Sequence, residues 1–177
     1  PEYVGRSKRV DAVEKRRVAG ESLIEADPEL AVVFASLNGA GVDADASRVE
    51  YGSMIYAKKP GDGSAREQAA SCQRVIGGLA NIVEEYATKR YRSNVTNWGM
   101  VPFQLKGVPP FEVGDYVYVP GIREVIGGDL SSIPAWIVHA GEAREISLYV
   151  ADMTDEERAI VRAGCLINYN RARREKE

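Results

Sequence analysis

The sequence predicts a single domain of the α/β class, and three observations carry that reading. A β-rich run, Val49 to Ala57, leads into a glycine-rich turn, and a helix-forming run, Ala65 to Ile76, leads out of it. A short apolar run, Leu79 to Val83, stands between breakers as a buried strand does. Beyond residue 106, alternating runs and turn residues replace the helical patterns, so helices come early and in the middle and strands come late. The chain has 177 residues, enough for one domain with a real core, and its 45% hydrophobic and 28% charged residues are ordinary globular values.

Taken in order, residues 7–24 (SKRVDAVEKRRVAGESLI) read as a charged surface helix with Ser7 as its cap. Residues 28–37 form a clearer helix, with Asp27 as cap, Pro28 in the first turn, and Leu30, Val33, Phe34 and Leu37 on one apolar stripe. Asn38-Gly39 ends it, and a Gly/Ala/Asp-rich link over residues 39–46 is expected to be exposed. A strand over 48–57, the central turn and a helix over 65–76 follow, and the helix ends near Gly77-Gly78. After the strand 79–83, Tyr86 to Thr96 reads as helix, stopped by Asn97-Trp98-Gly99. Val101 to Leu105 is a further strand, and Pro102 marks it as an edge or a strand start. Asp115 to Val119 alternates like a strand, and Ala135–His139 and Glu145–Val150 read as a hairpin around Gly141. Thr154-Asp155-Glu156-Glu157 is a capping box opening a helix that ends near Ala163-Gly164. The tail from residue 171, RARREKE, is charged and reads as frayed.

Composition excludes several classes. A net charge of −3 and a pI near 5.4 argue against general nucleic-acid affinity. The basic, aromatic run Lys89-Arg90-Tyr91-Arg92 is a small exception, better read as surface charge with Tyr86 and Tyr91 packing. No run approaches the roughly eighteen apolar residues of a membrane span, and no signal peptide is visible, so a cytoplasmic protein is expected. Cys72 and Cys165 read as free thiols and cannot by themselves hold a structural zinc or an iron–sulfur cluster. The first residue is Pro1 rather than Met, which reads as a processed or excised piece.

The chemistry concentrates in Pro60-Gly61-Asp62-Gly63-Ser64-Ala65-Arg66-Glu67. A glycine-rich turn between strand and helix lets the backbone approach a ligand and aims helix N–H groups at an anion. Ser64 brings a hydroxyl and Arg66 a fork matched to a carboxylate. The plainer alternative is that Ser64 to Glu67 is an S-x-x-E capping box and Ser64 merely caps its helix. His139, the only histidine, sits in the apolar run WIVHA and reads as structural, with no Ser-His-Asp relay around it.

Ser64-Ala65-Arg66-Glu67-Gln68-Ala69-Ala70, then a glycine pair, an apolar strand and Arg92-Ser93-Asn94-Val95-Thr96-Asn97-Trp98-Gly99-Met100-Val101-Pro102 resembles the C-terminal swivelling domain of the aconitase superfamily. That family typically reads G-x-G-S-S-R-E-H-A-A, then a strand, then R-S/A-N-L-x-x-x-G-(I/L)-(L/V)-P-L. Ala163-Gly164-Cys165-Leu166-Ile167-Asn168-Tyr169 is similar to the family's A-G-G-L-L-N-Y, so the resemblance spans about residues 50–170. It implies a three-layer β/β/α swivelling domain. It also implies a part in a hydro-lyase that reversibly dehydrates a hydroxy di- or tricarboxylic acid, a small polycarboxylate substrate.

By motif position Ser64 would be the catalytic base and Arg66 the carboxylate-binding arginine. Gly61, Gly63 and Ala65 would complete the substrate-binding loop. The resemblance implies a [4Fe–4S] cluster held by partner domains, not by this chain, and no turnover by this chain alone. The partners would be three cluster-bearing domains of the same polypeptide or a separate large subunit, as in isopropylmalate isomerases. A non-catalytic, regulatory or RNA-binding relative is the remaining alternative. The chain departs from the family where Ala65 replaces a second serine and Gln68 a histidine. Residues 1–48 contain no clear counterpart of the family's opening strand and second substrate arginine, with Arg6 a weak candidate, so the domain is expected to begin upstream.

Overall fold

The computed structural model describes residues 2–151 and 153–175, excepting the side chains of residues 2–7; the candidate Arg6 side chain therefore lies outside the described residues. The first helix, α1, runs Glu2–Val18, so Ser7 lies inside it rather than capping it. A turn at Gly20 separates it from a short α2, Leu23–Ala26, which the sequence reading had merged with it. Ser22 and Glu25 close a capping box at that start, a better local solution than continuing through Ala19-Gly20. Helix α3, Leu30–Gly39, buries Leu30, Val33, Phe34 and Leu37 as its stripe predicts. The link that follows is not fully exposed. Val42 and Ala44 are buried against α3, and the Asn38 side chain accepts the Ala44 amide at 3.2 Å.

The centre of the chain is a parallel sheet with its crossover helices: β1 (Ser53–Ala57), α4 (Arg66–Val75), β2 (Gly78–Val83), α5 (Lys89–Asn97) and β3 (Val101–Gln104). The strand order is β1-β2-β3, which places Pro102 on an edge strand where the missing N–H is tolerated. The later half forms an antiparallel sheet in the order β4 (Tyr116–Tyr118), β5 (Ile133–His139), β6 (Glu142–Leu148), with a short α6 (Ile122–Val125) between β4 and β5. Ala140 and Gly141, both at positive φ, make the hairpin turn between β5 and β6. A bridge between Gln104 and Tyr149 ties the two sheets together. Helix α7 (Asp155–Arg162) opens on the Thr154/Glu157 capping box, and α8 (Leu166–Arg174) carries residues 171–174 in helix where a frayed tail was expected.

Side-chain alternation assigns the layers. Ile82 of β2, Phe103 of β3, Ile133 and Ala135 of β5 and Leu148 of β6 form one core between the two sheets. Trp136 and Val138, on the opposite face of β5, pack with α2 and α3. Ala70 of α4 and Tyr91 and Val95 of α5 form a third cluster over the parallel sheet. The result is the expected α/β class and the β/β/α layering, with the early helices covering the outer face of the second sheet. Among the described residues, no helix is long and apolar enough to cross a membrane.

Candidate active site

In parallel sheets, ligands gather at the carboxyl ends of the strands, where the strand-to-helix loops lie. Two such loops meet here, residues 58–65 after β1 and residues 84–88 after β2. The strand pairing continues past the sheet into them. The Glu84 amide donates to Ala57 O at 3.3 Å, the Glu85 amide to Lys58 O at 3.0 Å, and the Ala87 amide to Pro60 O at 2.9 Å. Lys59 pairs with Glu85 at 2.8 Å, and the Thr88 hydroxyl donates to Gly61 O at 3.0 Å.

Gly61 has φ +100°, and a Cβ there would run into the Tyr91 ring, 2.7 Å from its Cγ. Tyr91 is buried beneath it, so the close approach of loop to helix requires glycine at this position. Gly63 differs: its φ is ordinary and a Cβ would meet nothing within 4 Å, so the chain's own packing does not require glycine there.

Ser64 is exposed, and its predicted capping box is not formed. Helix α4 starts after Ala65 with no side-chain cap, and Glu67 instead accepts the indole N–H of Trp98 at 2.9 Å. The same S/T-x-x-E pattern does close at Ser22 and at Thr154 in this chain, so the pattern alone does not decide the outcome. The Ser64 hydroxyl thus stands at the uncapped start of a ten-residue helix, whose free N–H groups create positive potential. Arg66, two residues on, is half-buried, and its Nε is buried without a hydrogen-bond partner.

Behind the loop, Asn81 is fully buried on β2 and links the two helices that flank the site. Its amide oxygen accepts from Gln73 of α4, and its nitrogen lies 3.4 Å from the Tyr91 hydroxyl. Burial pushes the Tyr86 and Tyr91 phenols up from their ordinary value, and both rings pack together under the loop. The reading of these tyrosines as packing residues holds, but it missed that Tyr91 seats Gly61. The Thr88-Lys-Arg-Tyr91 spacing of a helix cap was the available signal.

The basic run 89–92 is divided by the fold. Tyr91 turns inward, and Arg92 forks onto Glu157 at 3.1 and 3.2 Å and donates to Ala151 O at 2.5 Å. His139 lies on the antiparallel sheet, where it pairs with Asp115 rather than with any nucleophile. A cavity of about 860 Å³ opens where Met54 and Phe103 face Val117 and Ile122, and none of residues 58–65 lines it. Among the described residues, no group of three or more His, Cys, Asp or Glu side chains could hold a metal ion. Cys72 lies exposed on α4 and Cys165 precedes α8, a donor set that does not fit a cysteine-ligated iron–sulfur cluster.

Comparison with known proteins bears on the same stretch. The model of the aconitase C-terminal domain matches residues 47–107, from just before β1 to just beyond β3. No curated protein matches the sequence. Among solved structures, the chain is similar to 3-isopropylmalate dehydratase (leuD) from Methanocaldococcus jannaschii at 26% identity and a TM-score of 0.54, over 82% of this chain and 79% of that one. Residues 47–107 thus match the aconitase C-terminal domain, and the fold of the chain is that of the aconitase C-terminal swivelling domain.

Proposed function

We propose that this chain is the serine-bearing component of a hydro-lyase that reversibly dehydrates a hydroxy di- or tricarboxylic acid. The observation that carries the reading is the open S-x-x-E pattern, which leaves Ser64 free at the mouth of α4. Elimination of water needs a base at one carbon and loss of hydroxide from its neighbour, and this chain would supply the base. A serine hydroxyl does not ionise in water near neutral pH. The N–H groups at the uncapped start of α4, with the positive charge of Arg66 two residues on, would lower the cost of developing negative charge on Oγ. Arg66 would grip a substrate carboxylate, and its buried, unpartnered Nε is a donor that such a ligand satisfies. Gly63 and Ala65 would leave room for the substrate beside the backbone.

The [4Fe–4S] cluster of such enzymes finds no fitting ligand set among the described residues, so this reading assigns it to a partner. Of the two arrangements, a stand-alone small subunit docking on a separate cluster-bearing subunit is better supported than a domain of one long polypeptide. The reason is that the likeness to the leuD protein covers most of both chains. The test is turnover of the assembled enzyme, followed through the ultraviolet absorbance of the unsaturated acid. Ser64→Ala is expected to lower kcat about a hundredfold or more with little change in KM. An unchanged rate removes Ser64 from catalysis.

A further inference from the structure

We propose that Thr88 is a positioning residue for Ser64, its hydroxyl latching the serine-bearing loop to helix α5. The inference rests on Ser64 being the base, and it concerns what holds Ser64 in place. A catalytic loop needs its reacting atom fixed within a fraction of an ångström, and Ser64 is not held by its own helix, whose capping box is open. The nearest anchors on either side are therefore decisive. Downstream, the Ala65 carbonyl accepts the Ala69 amide at 3.0 Å, the first bond of α4. Upstream, the closest anchor is the Gly61 carbonyl, which accepts the Thr88 hydroxyl.

That hydroxyl has two tasks. It donates its one hydrogen to Gly61 O at 3.0 Å, and its lone pair accepts the Tyr91 amide at 3.2 Å, capping α5. The loop cannot slide along the helix at this point, because Gly61 lies flat on the Tyr91 side chain that begins one turn further on. The two main-chain bonds before the latch, Glu85 to Lys58 and Ala87 to Pro60, bring the loop to Thr88 in register. Thr88 is thus where the last bond of the loop and the first turn of α5 share one atom.

Because the two tasks use opposite ends of the hydroxyl, they can be separated by substitution. Thr88→Asp keeps an acceptor that caps α5 well but has no hydrogen to give to Gly61, whereas Thr88→Ser keeps both. In Thr88→Asp, exchange of the Ala87 amide, which bonds the loop beside the latch, is expected to rise about tenfold, a loss of roughly one hydrogen bond's worth of local protection. Amides of α5 from Tyr91 onward should stay protected. In the assembled enzyme, kcat at saturating substrate is expected to fall about tenfold or more, with Thr88→Ser restoring both readouts.

Wild-type Ala87 exchange in Thr88→Asp overturns the latch. Faster exchange with undiminished kcat overturns its role in positioning Ser64. If Ser64→Ala itself proves harmless, the assignment of the base fails instead, and Ala87 exchange still decides whether Thr88 holds the loop.

Discussion

Gly61 and Gly63 sit two residues apart in one loop, yet the protein asks different things of them. At Gly61 an added methyl meets both a left-handed backbone and the Tyr91 ring, so Gly61→Ala is expected to destabilise the fold by about 2–3 kcal/mol. At Gly63 neither penalty applies. Gly63→Ala should keep its unfolding free energy in urea within about 0.5 kcal/mol of wild type and yet, on the proposed reading of this loop as substrate-binding, lower kcat/KM. Equal stability losses at the two positions would show that the loop is seated otherwise. Ser64 itself teaches a related lesson. Its S-x-x-E signature matches those of Ser22 and Thr154, but Glu67 is drawn away by the Trp98 indole, a partner 31 residues distant that no local pattern reveals.

Among the elements, the β4–β5 pair carries a titratable clasp. Tyr116 pairs with Val138, and one residue further out Asp115 meets His139 at 2.6 Å, with Glu112 and Arg144 nearby. The hydrogen bond to Asp115, reinforced by its charge, raises the His139 pKa above its ordinary 6.5. Burial pushes the Asp115 carboxyl up, but the Glu112 amide and His139 outweigh it and the net shift is down. A raised histidine pKa stabilises the fold fully below the unfolded value and ceases to do so as pH rises through the folded one. The lowered Asp115 contributes above its unfolded value and is lost only in acid, as pH falls through its folded pKa. The stability advantage of wild type over His139→Gln is therefore expected to be full at pH values below about 6.5 and to fade as pH rises through the raised folded-state pKa. Urea midpoints of both proteins across that range check it, and a difference that does not vary with pH would remove the clasp.

At the scale of the whole molecule, much of the architecture was legible because it is local. The stripe of α3, the breakers around β2, the Thr154 box and the β5–β6 hairpin are each written within a dozen residues. The division of 7–24 into two helices was missed because a polar helix carries little periodic signal, while the Ser22 box that starts the second lay inside the run. The burial of Val42 and Ala44 and the contact of Gly61 with Thr88 depend on which elements the fold brings together, and no spacing encodes that. The glycine-rich loop between β1 and α4 was legible from sequence, but its anchors on Thr88 and Tyr91 were not. On the proposed function, with no fitting cluster ligand set among the described residues, the chain is expected to show no hydratase turnover alone and to gain it with a cluster-bearing partner. Robust activity of the purified chain by itself would contradict that division of labour. The bond between Trp98 and Glu67 has one more consequence. It joins an indole to the first turn of the helix that bears Arg66, in a chain with one other tryptophan, so the protein carries its own fluorophore at the edge of the proposed site, where a change in emission would report the arrival of the proposed substrate or partner without any label.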